Sequence, residues 1–196
     1  MKPAVYKMPR RPMPITVKRR VDFDKIEAAA VPEIVTVDKF TECHVTPPEV
    51  ATRMAIYLGN GGDYLTLEPS AGTGNLTRAL LSAGYSARYI VQVERHWKLA
   101  QSLPMPDHVV NQCFLEYAAE VAGKAQFARV IMNPPFSDVR KHVAAAKGLL
   151  ADGGTLVALV PVTFQSDGME TLEHLADDTF STAKVRTKII RITKPA

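Results

Sequence analysis

Four stretches of this 196-residue chain combine residue types that can do chemistry. Asn133-Pro134-Pro135-Phe136 follows directly on the apolar run Val130-Ile131-Met132. Each proline lacks an N–H donor and fixes φ, so neither a strand nor a helix interior continues through the pair. A strand must stop at Asn133, leaving an amide and an aromatic ring on a stiff turn at its C-terminal end. The second stretch is Leu67-Glu68-Pro69-Ser70-Ala71-Gly72-Thr73-Gly74. Gly72 and Gly74 allow a tight turn and close approach of a ligand. A dinucleotide loop would carry a third glycine where Thr77 stands. Glu68 would repel a pyrophosphate and suits an ammonium or sulfonium group instead. Taken alone, the same pattern also serves an ordinary strand-to-helix turn. The third stretch, Val91-Gln92-Val93-Glu94, ends in an acid that either accepts two ribose hydroxyls or is a solvated loop carboxylate. In the fourth, Gln112-Cys113-Phe114, the Phe114 ring either flanks an adenine or packs in the core.

Elements that alternate along the chain must position these residues. Pro47 and Pro48 open a helix through PPEVATRMAIYLG, with Val50, Met54 and Leu58 on one face and Gly59 as its C-cap. YLTLEP reads as a strand, SAGTG as a tight loop and NLTRALLSAG as a helix closed by Gly84. ARYIVQVE is a second strand, RHWKLAQSL a helix ended by Pro104, DHVVNQCF a third strand and FARVIMN a fourth. VRKHVAAAKGLLADGG is a helix, TLVALVP a fifth strand, GMETLEHLADD a short helix and KVRTKIIRIT the closing strand. No element is assigned between Phe114 and Phe127. Strands separated by single helices predict an α/β fold, a mostly parallel sheet with helices on both faces. Such sheets bind ligands at the C-terminal ends of their strands, where all four stretches fall.

Charge and composition narrow the classes. The net charge is +4, and Lys2, Lys7, Arg10, Arg11, Lys18, Arg19 and Arg20 precede the first acid. With Pro3, Pro9, Pro12 and Pro14 among them, residues 1–20 read as an extended arm, not a folded element. Two readings stand: a solubilising tail, or an arm that neutralises nucleic-acid phosphates. No apolar run is long enough to cross a bilayer. Cys43 and Cys113 lack paired-thiol spacing, which disfavours a disulfide scaffold or zinc site and suits a reducing cytoplasm. The five histidines have no ligand spacing, so no metal is expected, and Trp97 is expected to pack.

These stretches, with His44-Val45-Thr46-Pro47-Pro48 ahead of them, resemble the amino-group methyltransferases that use S-adenosylmethionine, most of all the adenine-N6 DNA methyltransferases. The resemblance spans roughly residues 40 to 165 and keeps the family's motif order. It implies a Rossmann-like class I methyltransferase domain over residues 41–196, preceded by a basic arm and lead-in over 1–40. It implies S-adenosyl-L-methionine as cofactor. Thr46 and Pro47 would help hold its methionine part, with Glu68, Pro69, Ala71, Gly72 and Gly74 in the cofactor loop. Glu94 would take the ribose, and Cys113 and Phe114 would meet the adenine. The family carries Asp or Asn at the Cys113 position; a thiol is a weaker acceptor.

Asn133, Pro134, Pro135 and Phe136 correspond to the catalytic motif, with Asn133 also bordering the cofactor. In the family, the side-chain oxygen at the Asn133 position and the carbonyl at the Pro134 position accept the N–H groups of the target amine. That favours a pyramidal nitrogen whose lone pair is free to attack. The ring at the Phe136 position stacks on a base that has left its duplex. A cytosine-C5 enzyme would need a cysteine following a proline, and neither cysteine does. The expected partner is nucleic acid, DNA first. RNA (adenine-N6 or guanine-N2), a protein glutamine, or a non-catalytic nucleic-acid-binding role are the alternatives. The family's DNA enzymes commonly carry a separate target-recognition region, whereas residues 162–196 suffice only for a helix and closing strands. A specificity subunit would be one way to supply the missing contacts.

Overall fold

The computed structural model describes residues 13–17, 33–37, 44–105, 108–176, 179 and 185–196. Strand β1 (Met13–Val17) pairs antiparallel with β2 (Glu33–Val37) in a two-stranded sheet of its own. Met13–Val17 therefore departs from the unpaired arm expected there. The β-branched residues Ile15, Thr16 and Val17 meet Val35, Ile34 and Glu33 across the pair and favour the extended backbone. The rest of the basic arm and the helical spacing of Phe23 to Ala30 lie outside the described residues.

The main sheet is built from α1 (Pro48–Leu58), β3 (Thr66–Pro69), α2 (Asn75–Ser82), β4 (Ile90–Val93), α3 (Trp97–Ser102), β5 (Val109–Val110), α4 (Phe114–Val121), β6 (Phe127–Met132), α5 (Val139–Gly148), β7 (Leu150–Pro161), β8 (Met169–His174) and β9 (Thr187–Thr193). Its order is β5-β4-β3-β6-β7-β9-β8. The pairs β3/β4, β4/β5, β3/β6 and β6/β7 are parallel. The hairpin-side pairs β7/β9 and β8/β9 are antiparallel.

The central strands read as continuous apolar runs because both faces are covered. Successive side chains point to opposite faces, and the packing follows that period. On β6, Val130 and Met132 join a cluster with Phe114 and Ala118 of α4 and with Val139, Val143 and Ala146 of α5. Ile131 between them joins the other cluster, with Val50, Met54 and Leu58 of α1 and Leu76 and Leu80 of α2. Strand β7 repeats the alternation, Leu156, Ala158 and Val160 facing one layer and Val157 and Leu159 the other. Each fully buried Val, Leu, Ile, Phe or Met among them stabilises the fold by about 1.5–3 kcal/mol.

Three expectations are corrected. Residues 169–174, expected in a helix, form strand β8. Leu172 and Leu175 are three apart, which looks helical, yet both pack on the same apolar cluster. A register shift between Thr171 and Glu173 inserts one extra residue. Such a bulge restores a shared face that a regular strand would deny. Glu170 pairs with Arg191 at 2.7 Å and Glu173 with Arg53 at 3.1 Å, securing the edge strand at both ends. Secondly, the third strand shrinks to Val109–Val110, and Phe114 opens α4 with Cys113 as its N-cap. Thirdly, Ala87–Tyr89 form a 3-10 turn ahead of β4, and β7 begins at Leu150, inside the stretch expected to end a helix.

Two-faced packing makes a direct prediction. Ile131→Ala, at a position with no exposed surface, should lower unfolding free energy by about 2–5 kcal/mol. Ile56→Ala, at 66% exposure, should change it by less than about 0.5 kcal/mol. Urea unfolding midpoints compare them; equal losses would contradict the packing described.

Candidate active site

From β3 the chain steps outward through β4 to β5, then returns to the other side of β3 with β6. Strand order reverses there, so the C-terminal ends of β3, β4 and β6 surround one crevice. Thr46, Glu68, Ala71, Gly72, Glu94, Cys113, Phe114, Asn133 and Pro135 all line it. Pro47, Pro69, Gly74, Pro134 and Phe136 are not among its lining residues. Pro47 instead caps α1, its carbonyl accepting the Ala51 N–H at 2.9 Å.

The loop after β3 is tightly constrained. Ser70 holds φ +57°, a left-handed conformation uncommon outside glycine. The following Ala71 N–H donates to the Val93 carbonyl at 2.9 Å and ties the loop onto β4. Gly72 also turns left-handed, at φ +57°. Gly74 serves packing more than ligand approach: at φ +76°, a Cβ there would come within 2.7 Å of Pro104 Cδ and 2.9 Å of Leu103 Cδ2.

Two acids end β3 and β4, and both are buried. Glu94 is no solvated loop carboxylate. Its oxygens accept the Gly72 N–H at 2.7 Å and the His96 N–H at 2.8 Å. Asn111 donates to the Glu94 carbonyl at 2.7 Å and fixes the strand end. Burial pushes the Glu94 carboxyl up, and the two backbone N–H bonds oppose the shift. Glu68 is wholly buried; one oxygen accepts from the Thr77 hydroxyl, and Oε1 has no partner among the described residues. Desolvation raises its carboxyl to about 8. Phe114 packs in the core at 3% exposure and also borders the crevice, 5.7 Å from the His142 ring.

Asn133 stands at the end of β6. Its Nδ2 donates to the His44 carbonyl at 2.8 Å and to Thr46 Oγ1 at 3.0 Å. Its Oδ1 is buried without a hydrogen-bond partner among the described residues. The Phe136 ring is 4% exposed and stacks on the His44 imidazole, centroids 5.0 Å apart. Burial lowers the His44 imidazole to about 4, so the stacked ring is neutral near pH 7.

Sequence reasoning missed the residues that hold these groups. Asn75 donates to the Thr46 carbonyl at 2.8 Å, and Asn111 and Thr77 hold the two acids. Polar residues opening a helix, as Asn75 does after Gly74, were the available signal. Trp97, expected to pack, is 53% exposed at the start of α3. Among the described residues, no three or more His, Cys, Asp or Glu side chains are grouped to hold a metal, and no helix is long and apolar enough to cross a membrane.

No protein-family model matches the sequence, and no curated protein matches it. Solved structures are. The 23S rRNA methyltransferase ErmE matches with TM-score 0.59 and 21% identity, over 76% of this chain and 68% of that one. The methyltransferase subunit of a type I restriction-modification system from Streptococcus thermophilus matches with TM-score 0.63 and 17% identity, over 78% of this chain and 44% of that one. SMU.776 in complex with SAH matches with TM-score 0.52 and 15% identity, over 72% of this chain and 48% of that one. The fold is the Rossmann-like methyltransferase fold. At these identities the likeness is one of fold.

Within this methyltransferase fold, Glu68 makes stability fall with pH. Its folded-state carboxyl lies above the ordinary value of 4.5, so the folded chain holds the proton more tightly than the unfolded one. That contribution is complete below about 4.5 and is lost as pH rises through about 8. His44 acts oppositely, losing stability as pH falls from 6.5 through about 4. Above pH 6.5 the Glu68 effect is therefore separable. Melting temperatures of wild type should drop between pH 6.5 and 8.5 more steeply than those of Glu68→Gln; parallel curves would contradict the burial described.

Proposed function

We propose that the chain transfers the methyl group of S-adenosyl-L-methionine to the exocyclic N6 amine of adenine in DNA. One observation carries this reading: a buried amide oxygen, Asn133 Oδ1, without a partner among the described residues, at the strand end where the Asn-Pro-Pro-Phe turn begins. Asn133 and a second orphaned oxygen-bearing residue, Glu68, line the same crevice. A cationic group beside Glu68 would draw its carboxyl back to the charged form, and the Asn133 oxygen suits an N–H donor, so the residues present fit the cofactor and a target amine.

Glu68, Ala71, Gly72, Glu94, Cys113 and Phe114 would hold the cofactor from the crevice walls, with Pro47, Pro69 and Gly74 shaping the backbone behind them. When bound, S-adenosyl-L-methionine supplies a methyl group made electrophilic by its sulfonium. Asn133 Oδ1 accepts one N–H of the target amine, and the Pro134 carbonyl is the second acceptor. These bonds draw the nitrogen lone pair out of conjugation with the base. The two prolines set the acceptors beforehand, so little ordering remains for the reacting complex. The Phe136 ring is 4% exposed and stacked on His44, so a base would stack on it only after this pair rearranges.

A nucleic-acid substrate is supported by the likeness to the restriction-modification subunit and to ErmE, and by the basic residues of positions 1–20. ErmE also favours a second reading, in which the same chemistry acts on RNA. A specificity subunit agrees with the fold's use as one subunit of a type I system.

Asn133→Ala should reduce methyl transfer at least about a hundred-fold, the scale for losing a preorganised polar contact to the reacting group. Calorimetric affinity for S-adenosyl-L-methionine should stay within a few-fold. Full transfer by this variant would sink the proposal.

A further inference from the structure

The Asn133 amide has two possible orientations, and only one gives the site an acceptor. The atom 2.8 Å from the His44 carbonyl must be a donor, because a carbonyl oxygen only accepts. That same nitrogen lies 3.0 Å from Thr46 Oγ1. Turning the amide over would set Oδ1 against the His44 carbonyl, where lone pairs repel. It would also put, in the place Oδ1 now holds, a nitrogen that can only donate. The clamp is itself anchored: Thr46 is 6% exposed, and its carbonyl accepts from Asn75 at 2.8 Å.

We propose that Thr46 is a positioning residue for methyl transfer: its hydroxyl oxygen, with the His44 carbonyl, fixes the Asn133 amide so that Oδ1 faces the target amine. This rests on the methyl-transfer reading above. It gives Thr46 a different task from the one its sequence motif implies, which is to help hold the methionine part of the cofactor. The hydroxyl is the half of the clamp that substitution can remove. Thr46→Val keeps the shape and loses the acceptor; Thr46→Ser keeps the acceptor.

Two measurements test it. In turnover, Thr46→Val should lower kcat about ten-fold, the scale of one lost hydrogen bond. Cofactor Kd should stay within about two-fold by the same reasoning, and Thr46→Ser should restore kcat. An unchanged kcat, or a loss of cofactor affinity as large as the loss of kcat, overturns the proposal. The second measurement needs no turnover. In nitrogen-15 spectra of the ligand-free protein, the Asn133 side-chain NH₂ pair is assigned by its disappearance in Asn133→Asp. Its exchange with water should be slow in wild type and Thr46→Ser, and several-fold faster in Thr46→Val. Equal exchange in all three overturns the clamp. A protected amide in a wild-type protein that methylates no substrate would support the clamp and overturn the reaction.

Discussion

The site depends on the orientation of one side-chain amide. Asn133 can accept a hydrogen bond from a substrate only if its nitrogen is committed elsewhere, and the His44 carbonyl and Thr46 hydroxyl commit it. A segment that precedes the first strand of the main sheet thus completes a residue at the end of β6, 89 positions later for His44. The parallel sheet makes this possible. With β3 between β4 and β6, three strand ends open on one crevice, and the lead-in segment lies among its walls.

The crevice concentrates groups whose hydrogen bonding is deliberately incomplete. Most buried polar groups in proteins are paired, yet among the described residues Glu68 and Asn133 each keep one buried oxygen unpartnered, while Glu94 has both oxygens engaged by backbone N–H groups. The contrast divides the labour. Glu94 is rigidly placed by the loop it bonds, and oxygens with two lone pairs still have capacity for hydroxyl donors. Glu68 and Asn133 are left to be satisfied by something that enters. The left-handed Ser70 and the bond from Ala71 to Val93 show how tightly the intervening loop is fixed to make this so.

Much of this was legible in the sequence because covalent constraints write it locally. The double proline stops β6 at one place, and apolar runs such as Val130-Ile131-Met132 need cover on both faces. Strand-helix alternation then yields the parallel sheet. What was not legible depended on distant partners. Residues 169–174 look helical, and only the open edge of β9 and a one-residue bulge make them a strand. Helix α4 escaped notice because Phe114 was taken as the end of a strand instead of the start of a helix. Gly74 was read as room for a ligand, and its neighbours prove to be Leu103 and Pro104. Phe136 was read as a base-stacking ring, and nothing in its sequence neighbourhood announced its stacking on His44. Long-range hydrogen bonds such as those of Asn75 and Asn111 leave no periodic trace.

The central claim is that the Asn133 turn serves transfer of a methyl group to an adenine amine in DNA. The most direct test is transfer of labelled methyl from S-adenosyl-L-methionine to duplex DNA, single-stranded DNA, RNA and protein in parallel, with nucleoside analysis of any labelled nucleic acid. N6-methyladenine in DNA is the predicted product. Label confined to RNA or protein, or no label despite cofactor binding, would contradict it.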